Sequence, residues 1–334
     1  MGRRTHSFLI DFTGVILVGL AISMITLGNT IENWFSVSSA FQNLNTIFLS
    51  ILIEAVPFVL IGVLIAGFIQ IFITEEHIQK WIPKNKFLAV TMSCVVGAAF
   101  PACECGIVPI VRRLIAKGVP IYAGIGFLLT GPLINPIVIF STYMAFGNDF
   151  KIAAMRMILG FAIAMIIALI ISLFVKGNQL KPSALHANAN TNKEHHKQKF
   201  SQKIWGMLTH SVDEFFDMVK YLIIGAFLAA AVQVYVSSET LLGIGTGVVS
   251  STLVMMGLAY VLSLCSEADA FIGASFRNLF PTTAIMGFLI YGPMIDLKNT
   301  FMMLSVFKAR FVFFFVALVT IVVLSVLILV QGIL

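Results

Sequence analysis

The chain has 334 residues, 59% of them hydrophobic and only 11% charged, with a formal net charge of +6. Soluble domains are about 45–50% apolar and about 25% charged. A mean hydropathy of +1.00 therefore excludes an ordinary soluble enzyme, a disordered chain and a nucleic-acid binder. Most Lys and Arg residues sit between apolar runs, where a membrane protein carries them. Four Cys are too few and too scattered for a disulfide scaffold.

A helix needs roughly 20 apolar residues to cross the hydrocarbon core. The first such run, 8–27, follows Arg3 and Arg4. It reads as an uncleaved helix, because no A-x-A cleavage site follows and further spans do. The next apolar runs are 44–73, 87–102, 107–115, 119–146 and 152–175. A polar stretch, 176–203, is rich in Asn, His and Lys and reads as a linker. Its His186, His195 and His196 read as solvated loop. The runs 218–236, 241–264, 281–295 and 304–334 complete the chain. Runs 87–102 and 107–115 are too short to span alone and flank Pro101-Ala102-Cys103-Glu104-Cys105-Gly106, so a re-entrant hairpin is expected there.

Positive charge supports this layout. With the N-terminus inside, Lys80, Lys84 and Lys86, then Arg112, Arg113 and Lys117, the linker, and Lys298, Lys308 and Arg310 all fall inside. Lys151 and Arg277 strain the rule.

The two halves resemble each other. Residues 58–70 align with 221–233, matching Gly62 to Gly225, and Glu54 then falls opposite Asp217. Residues 126–135 align with 287–296, and Pro120 with Pro281. Cys103-Glu104-Cys105 falls near Cys265-Ser266-Glu267 with a small gap. In the layout above the matched helices run in opposite directions, so the repeat is inverted, a common build for transporters with a site at broken helices near the midplane. The expected architecture is all-α, a polytopic transmembrane helical protein with two inverted repeats, each with a re-entrant hairpin. Residues 1–43 form an N-terminal transmembrane helix and external loop, 44–175 the first permease repeat, 176–205 a cytoplasmic polar linker, and 206–334 the second repeat.

The chemistry concentrates at the breaks. An ionisable group inside a membrane is costly and calls for a role. Thiolates suit thiophilic centres, so Cys103 and Cys105 with Glu104 between them offer transient contact to a substrate and no permanent metal site. The plain alternative is two small buried residues with a capping carboxylate. Cys265, Glu267 and Asp269 form the counterpart, where the plain alternative is an N-terminus capped by Ser266 with acids in its first turn. If the hairpins meet, these residues converge, and the carboxylates can carry charge or protons. Gly131-Pro132 with Asn135-Pro136, and Gly292-Pro293 with Asp296, are expected to interrupt two helices and free carbonyls that Asn135 or Asp296 can answer. Glu54 and Asp217 are candidates for the same cavity or, equally, for interfacial depth, Asp217 the more so beside Asp213, Glu214 and Lys220, and Cys94 reads as packing. There is no nucleotide-binding motif, and no cofactor is expected.

At 101–109, 131–136 and 264–269 the chain resembles the YraQ-like predicted permeases, a bacterial family that includes the organoarsenical efflux permeases. The resemblance covers nearly the whole chain apart from the linker. It implies a multi-pass permease of the bacterial plasma membrane, with Cys103 and Cys105 as first and Cys265 as next substrate contacts. Glu104 departs from the Ser-bearing break of the arsenical exporters and points to a cationic or metal-like substrate. The expected function is movement of a small thiophilic solute, a metal or metalloid species, in the efflux direction and without nucleotide hydrolysis. The expected surroundings are membrane lipid and a possible partner membrane protein, with no nucleic acid. The rivals are a membrane thiol-redox protein and a subunit active only with a partner.

Overall fold

The computed structural model describes residues 39–72, 85–175, 179–181, 200–235 and 247–332, together with 19, 74, 78, 82, 83 and 177. The expected N-terminal helix and the His-rich core of the linker lie outside the described residues, residue 19 apart.

The described chain is helical, with one isolated antiparallel bridge between Leu180 and Phe307. The first six helices are α1 (Ser39–Phe72), α2 (Lys86–Ala99), α3 (Glu104–Ala116), α4 (Ile121–Ile134), α5 (Pro136–Ala145) and α6 (Phe150–Phe174). The next six are α7 (Phe200–Tyr235), α8 (Val248–Leu262), α9 (Ser266–Ser275), α10 (Thr282–Met294), α11 (Leu297–Val306) and α12 (Ala309–Val330). Their lengths run 34, 14, 13, 14, 10 and 25 residues, then 36, 15, 10, 13, 10 and 22.

Five stretches among the described residues are long and apolar enough to cross a membrane: Ala40–Phe72, Ile121–Ala145, Phe150–Phe174, Trp205–Tyr235 and Ala309–Val330. This is a multi-pass membrane protein. Helices α2 and α8 are apolar but, at 14 and 15 residues, shorter than the roughly 20 needed to span.

Two breaks fall where a side chain caps the next helix. Asn135 accepts the Val138 N–H at 2.9 Å and starts α5, and Asp296 accepts the Asn299 N–H at 2.5 Å and starts α11. This moves two expected interruptions. Gly131-Pro132 and Gly292-Pro293 lie inside the last turns of α4 and α10, and the chain breaks at Asn135 and at Ile295-Asp296 instead. Each proline costs one intrahelical donor near a helix end, which a terminal turn tolerates. The run 304–334 is also divided. Phe307 and Lys308 separate α11 from α12, and Gln179–Lys181 bonds to this gap through Lys181 N–H to Val306 O and Lys308 N–H to Gln179 O, both 2.9 Å. Residues 179–181, expected at the start of the linker, are therefore packed, with Leu180 buried.

The long helices α1 and α7 lie against each other; α1 also packs on α3 and α7 on α11. Helix α2 packs on α4, and α8 on α10. Helices α4 and α10 are buried along nearly their whole length and meet centrally. The half-length helices cross over between the halves, α3 on α11 and α5 on α9. Close approach relies on small residues, as is usual between helices in lipid. A Cβ on Gly62 of α1 would run into the Gly106 carbonyl of α3, and one on Gly225 of α7 would lie 3.1 Å from the Lys298 Cα of α11.

Candidate functional site

Four helices begin at the breaks. Cys103 is the N-cap of α3 and Cys265 the N-cap of α9, both in extended conformation, while Asn135 and Asp296 cap α5 and α11. Helix N-termini carry partial positive charge, so acids are favoured there. Glu104 opens α3, Glu267 and Asp269 lie in the first turn of α9, and Asp296 caps α11.

Lys298 joins two of these ends. It is 3% exposed, and its ammonium lies 3.1 Å from Glu104 Oε1 and 3.6 Å from Asp296 Oδ2. The same nitrogen donates to the Ser263 carbonyl at 3.2 Å. Ser263 ends α8 in the left-handed region at φ 48°, a conformation uncommon for a residue with a Cβ. It turns the chain from α8 toward Cys265, with its carbonyl on the lysine. Cys105 lies in the field of Lys298, and its thiol is within hydrogen-bonding reach of Cys103. The Glu54 carboxylate, halfway along α1, comes within reach of the Cys265 thiol.

A second cation serves the other break. Arg156 of α6 is fully buried and donates to Thr142 Oγ1 at 2.7 Å and to the Ser266 carbonyl at 3.2 Å. It thereby ties α6 to α5 and α9. The field of Arg156 reaches Asp269 and the half-buried Glu267.

The structure thus brings Cys103, Glu104, Cys105, Asp296 and Lys298 together, and sets Cys265 by Glu54 and Asp269 by Arg156. Glu104 lies in the electrostatic reach of Asp269, so the two clusters adjoin. Asn135 spends its amide on the backbone, donating to Gly131 O at 3.1 Å and accepting from Val138. Of the break residues, Pro101 and Pro136 are exposed, and Gly106 receives α1. Gly131 abuts Ile107 of α3, and Gly292 abuts Asp269 of α9. Cys94 packs with Val90 and Ala168 in a small apolar cluster, as expected. All four cysteines are free thiols. No group of three or more His, Cys, Asp or Glu side chains poised to hold a metal ion occurs among the described residues.

One expectation is corrected, and two sets of charges counted as inside are found in buried ion pairs. Asp217 does not share the site of Glu54: its side chain is 74% exposed and meets Lys220 at 3.5 Å. Arg112 and Arg113, counted among the inside charges, belong to a helix and a buried ion pair. They lie in the last turns of α3, buried, and clasp Glu214 of α7, with Arg112 Nη1 2.8 Å from Oε1 and Arg113 Nη2 2.5 Å from Oε2. Lys298, counted among inside loop charges, is at the centre of the site. Sequence reading overlooked Lys298 and Arg156 as site residues. Arg156 carried a signal, a cation inside the apolar run 152–175, and Lys298 carried another, two residues beyond the Asp296 break.

A helical membrane protein whose half-length helices begin at Cys103, Asn135, Cys265 and Asp296 around a buried ionic cluster has the build of a permease. The chain belongs to the ArsP_1 family, described as "Predicted permease", which matches residues 40–332. It is 52% identical over 298 residues to UPF0718 protein YcgR of Bacillus subtilis, covering 88% of this chain and 99% of that one. It is 44% identical over 279 residues to a Streptococcus mutans protein named "Putative two-component membrane permease complex subunit", covering 84% and 91%. A Methanocaldococcus jannaschii protein, UPF0718 protein MJ0584, is 28% identical over 140 residues, covering 41% of this chain and 38% of that one. No solved structure matches.

Proposed function

We propose that the chain is an alternating-access permease of the bacterial plasma membrane that moves a small thiophilic solute, a metal or metalloid species, outward and without nucleotide hydrolysis. The observation that carries this reading is the cluster at the start of α3, where the Glu104 carboxylate pairs with the Lys298 ammonium, the Cys105 thiol lies in the field of that lysine, and the Cys103 thiol neighbours Cys105. Soft thiols select thiophilic centres, and the neighbouring carboxylate favours a cation. Cys265 with Glu54, and the acids Glu267, Asp269 and Asp296, extend the same donor set. The efflux direction rests on the resemblance to the organoarsenical exporters.

Alternating access would come from two inverted repeats, 44–175 and 206–334, each with a re-entrant hairpin, set behind residues 1–43 and joined by the polar linker 176–205. Several features support it. The order of long, short and half-length helices recurs, Cys103 and Cys265 cap equivalent helices, and so do Asn135 and Asp296. Gly131 and Gly292 receive Ile107 and Asp269, the fourth residues after their respective cysteines. Interrupted helices of this kind hold transporter sites near the midplane.

A second reading is a subunit that acts only with a partner membrane protein, favoured by the name of the Streptococcus mutans relative. A single experiment separates the two. Cell-associated element content is measured in a host expressing wild type or Cys103→Ser/Cys105→Ser, challenged separately with methylarsenite, arsenite, antimonite, zinc, cadmium and copper. A fall in one element that the double variant abolishes supports the permease. No change for any element at good membrane expression overturns autonomous metal or metalloid export and favours the partner-dependent subunit.

A further inference from the structure

We infer that two ion pairs joining the halves of the chain, Arg112 and Arg113 with Glu214 and Arg277 with Asp149, are the gates at opposite ends of the central cluster. The inference rests on the permease reading and assigns the contacts that must open in turn for cargo to reach the site from either side.

Helix α6 marks the two ends. It is long enough to cross the membrane. Asp149 is its N-cap, and near its other end the Ser172 carbonyl accepts from Lys86 Nζ, at the start of α2, at 3.1 Å. Between them Arg156 reaches the Ser266 carbonyl at the start of α9, and Gly160 abuts Leu133 and Ile134 where α4 breaks. Arg277, just beyond α9, stands at the Asp149 end. The last turns of α3 stand at the Ser172 end: Ile115 abuts Gly124 of α4, and nearby Gly126 abuts Cys94 of α2 and Ala168 of α6. About 12 Å of helix separates Arg112 from Glu104. The central cluster therefore lies between the two ion pairs.

Each pair crosses between the halves. Arg112, Arg113 and Asp149 belong to residues 44–175, and Glu214 and Arg277 to 206–334. Rocking one half against the other about a central site separates such contacts at one end at a time. The two pairs differ in strength. At the α3 end Glu214 accepts from Arg112 Nη1 at 2.8 Å and from Arg113 Nε at 3.0 Å and Nη2 at 2.5 Å, with all three side chains at most 10% exposed. At the α9 end a single contact of 3.4 Å joins side chains 52% and 31% exposed, and Arg277 also donates to the Phe146 carbonyl at 3.3 Å. Buried bidentate bonds hold more firmly than an exposed pair, so the structure is shut at the α3 end and loosely held at the α9 end. The clasp remains openable, because separating both partners into water costs less than deleting one of them. With the N-terminus inside, the α3 end is cytoplasmic and Arg277 is outside, where it strains the positive-inside tendency. A gate gives an arginine a use there.

The test labels Cys103 and Cys265 of the full chain in right-side-out and inverted membrane vesicles with a membrane-impermeant maleimide, read by mass spectrometry, and needs no cargo. Glu214→Gln is expected to raise labelling from the cytoplasmic side by about tenfold or more. Arg277→Gln is expected to raise labelling from the outer side by about two- to fivefold, as suits an exposed pair, and Arg277→Lys, which keeps the cation, to restore the wild-type rate. Where Glu214→Gln fails to fold, Arg112→Gln, which leaves Arg113 on the carboxylate, takes its place. Increases from opposite sides uphold the gates. An unchanged rate in either variant, or a rise from both sides alike, overturns them, because a merely structural contact loosens the fold without a side preference. If wild type moves no element in the element-content assay while the side-specific increases are present, the thiophilic cargo falls and the gates stand. If an element moves and the increases are absent, the gates alone fall.

Discussion

The Lys298 ammonium lies 3.1 Å from Glu104 Oε1, and this buried contact joins the second residue of α11 to the first residue of α3. Two helix N-termini from opposite halves of the chain meet across it. Both ends are positive, and the carboxylates of Glu104 and Asp296 let them approach each other and a lysine. Under the proposed function, an ammonium so placed occupies the position that a cationic cargo would contest.

Breaking this contact is expected to be costly. Lys298→Met leaves Glu104 and Asp296 buried without their cation, and removing one partner of a buried pair costs about 3–5 kcal/mol. Thermal unfolding in detergent should show a large drop. The double variant Glu104→Gln/Lys298→Met should recover much of it, because the uncompensated charge is reduced, while remaining inactive in the element-content assay. A double variant as unstable as Lys298→Met would show that the two residues are not coupled.

The clasp of Arg112 and Arg113 on Glu214 fastens α3 to α7. Glu214→Ala would remove the carboxylate that the two buried guanidiniums share, and the expected result is strong destabilisation, on the scale of a broken buried pair, about 3–5 kcal/mol. Asp217→Ala, three residues on and exposed, should stay within about 0.5 kcal/mol of wild type. Parallel melting curves of the two variants check the contrast, and equal losses would contradict the burial difference.

Gly62 and Gly225 set how closely the long helices approach α3 and α11. Gly62→Val pushes a branched side chain into the Gly106 carbonyl and should cost about 1–3 kcal/mol or more by overpacking. Gly257, with open space around its Cβ position, should accept Ala with little change. Comparing the yield of folded protein by size exclusion for the two variants tests this.

Thiol labelling should separate the cysteines. Cys103 and Cys265 are half-buried at the breaks, whereas Cys94 and Cys105 are buried. A small maleimide followed by mass spectrometry is expected to modify Cys103 and Cys265 well before Cys94, and Cd2+ should slow modification at Cys103. Faster labelling of Cys94 would contradict the placement of α2 on α4.

Composition, hydropathy and break residues in the sequence were enough to establish a helical membrane protein, the interruptions near Cys103, Asn135, Cys265 and Asp296, and the packing role of Cys94. These properties are local. Apolar runs report burial or lipid contact, and Pro, Asn, Asp and Cys at a break act within a turn of where they stand. The positions of the breaks were less legible. Pro132 and Pro293 mark them by composition, yet the helices run on until Asn135 and Asp296 can cap their successors. Only the tertiary structure decided which charges belong together. Lys298 counts only as an inside charge until α11 crosses to α3, and so do Arg112 and Arg113 until α7 brings Glu214. Ion pairing depends on separations of a few ångströms between residues more than a hundred positions apart, and helix packing alone sets those separations.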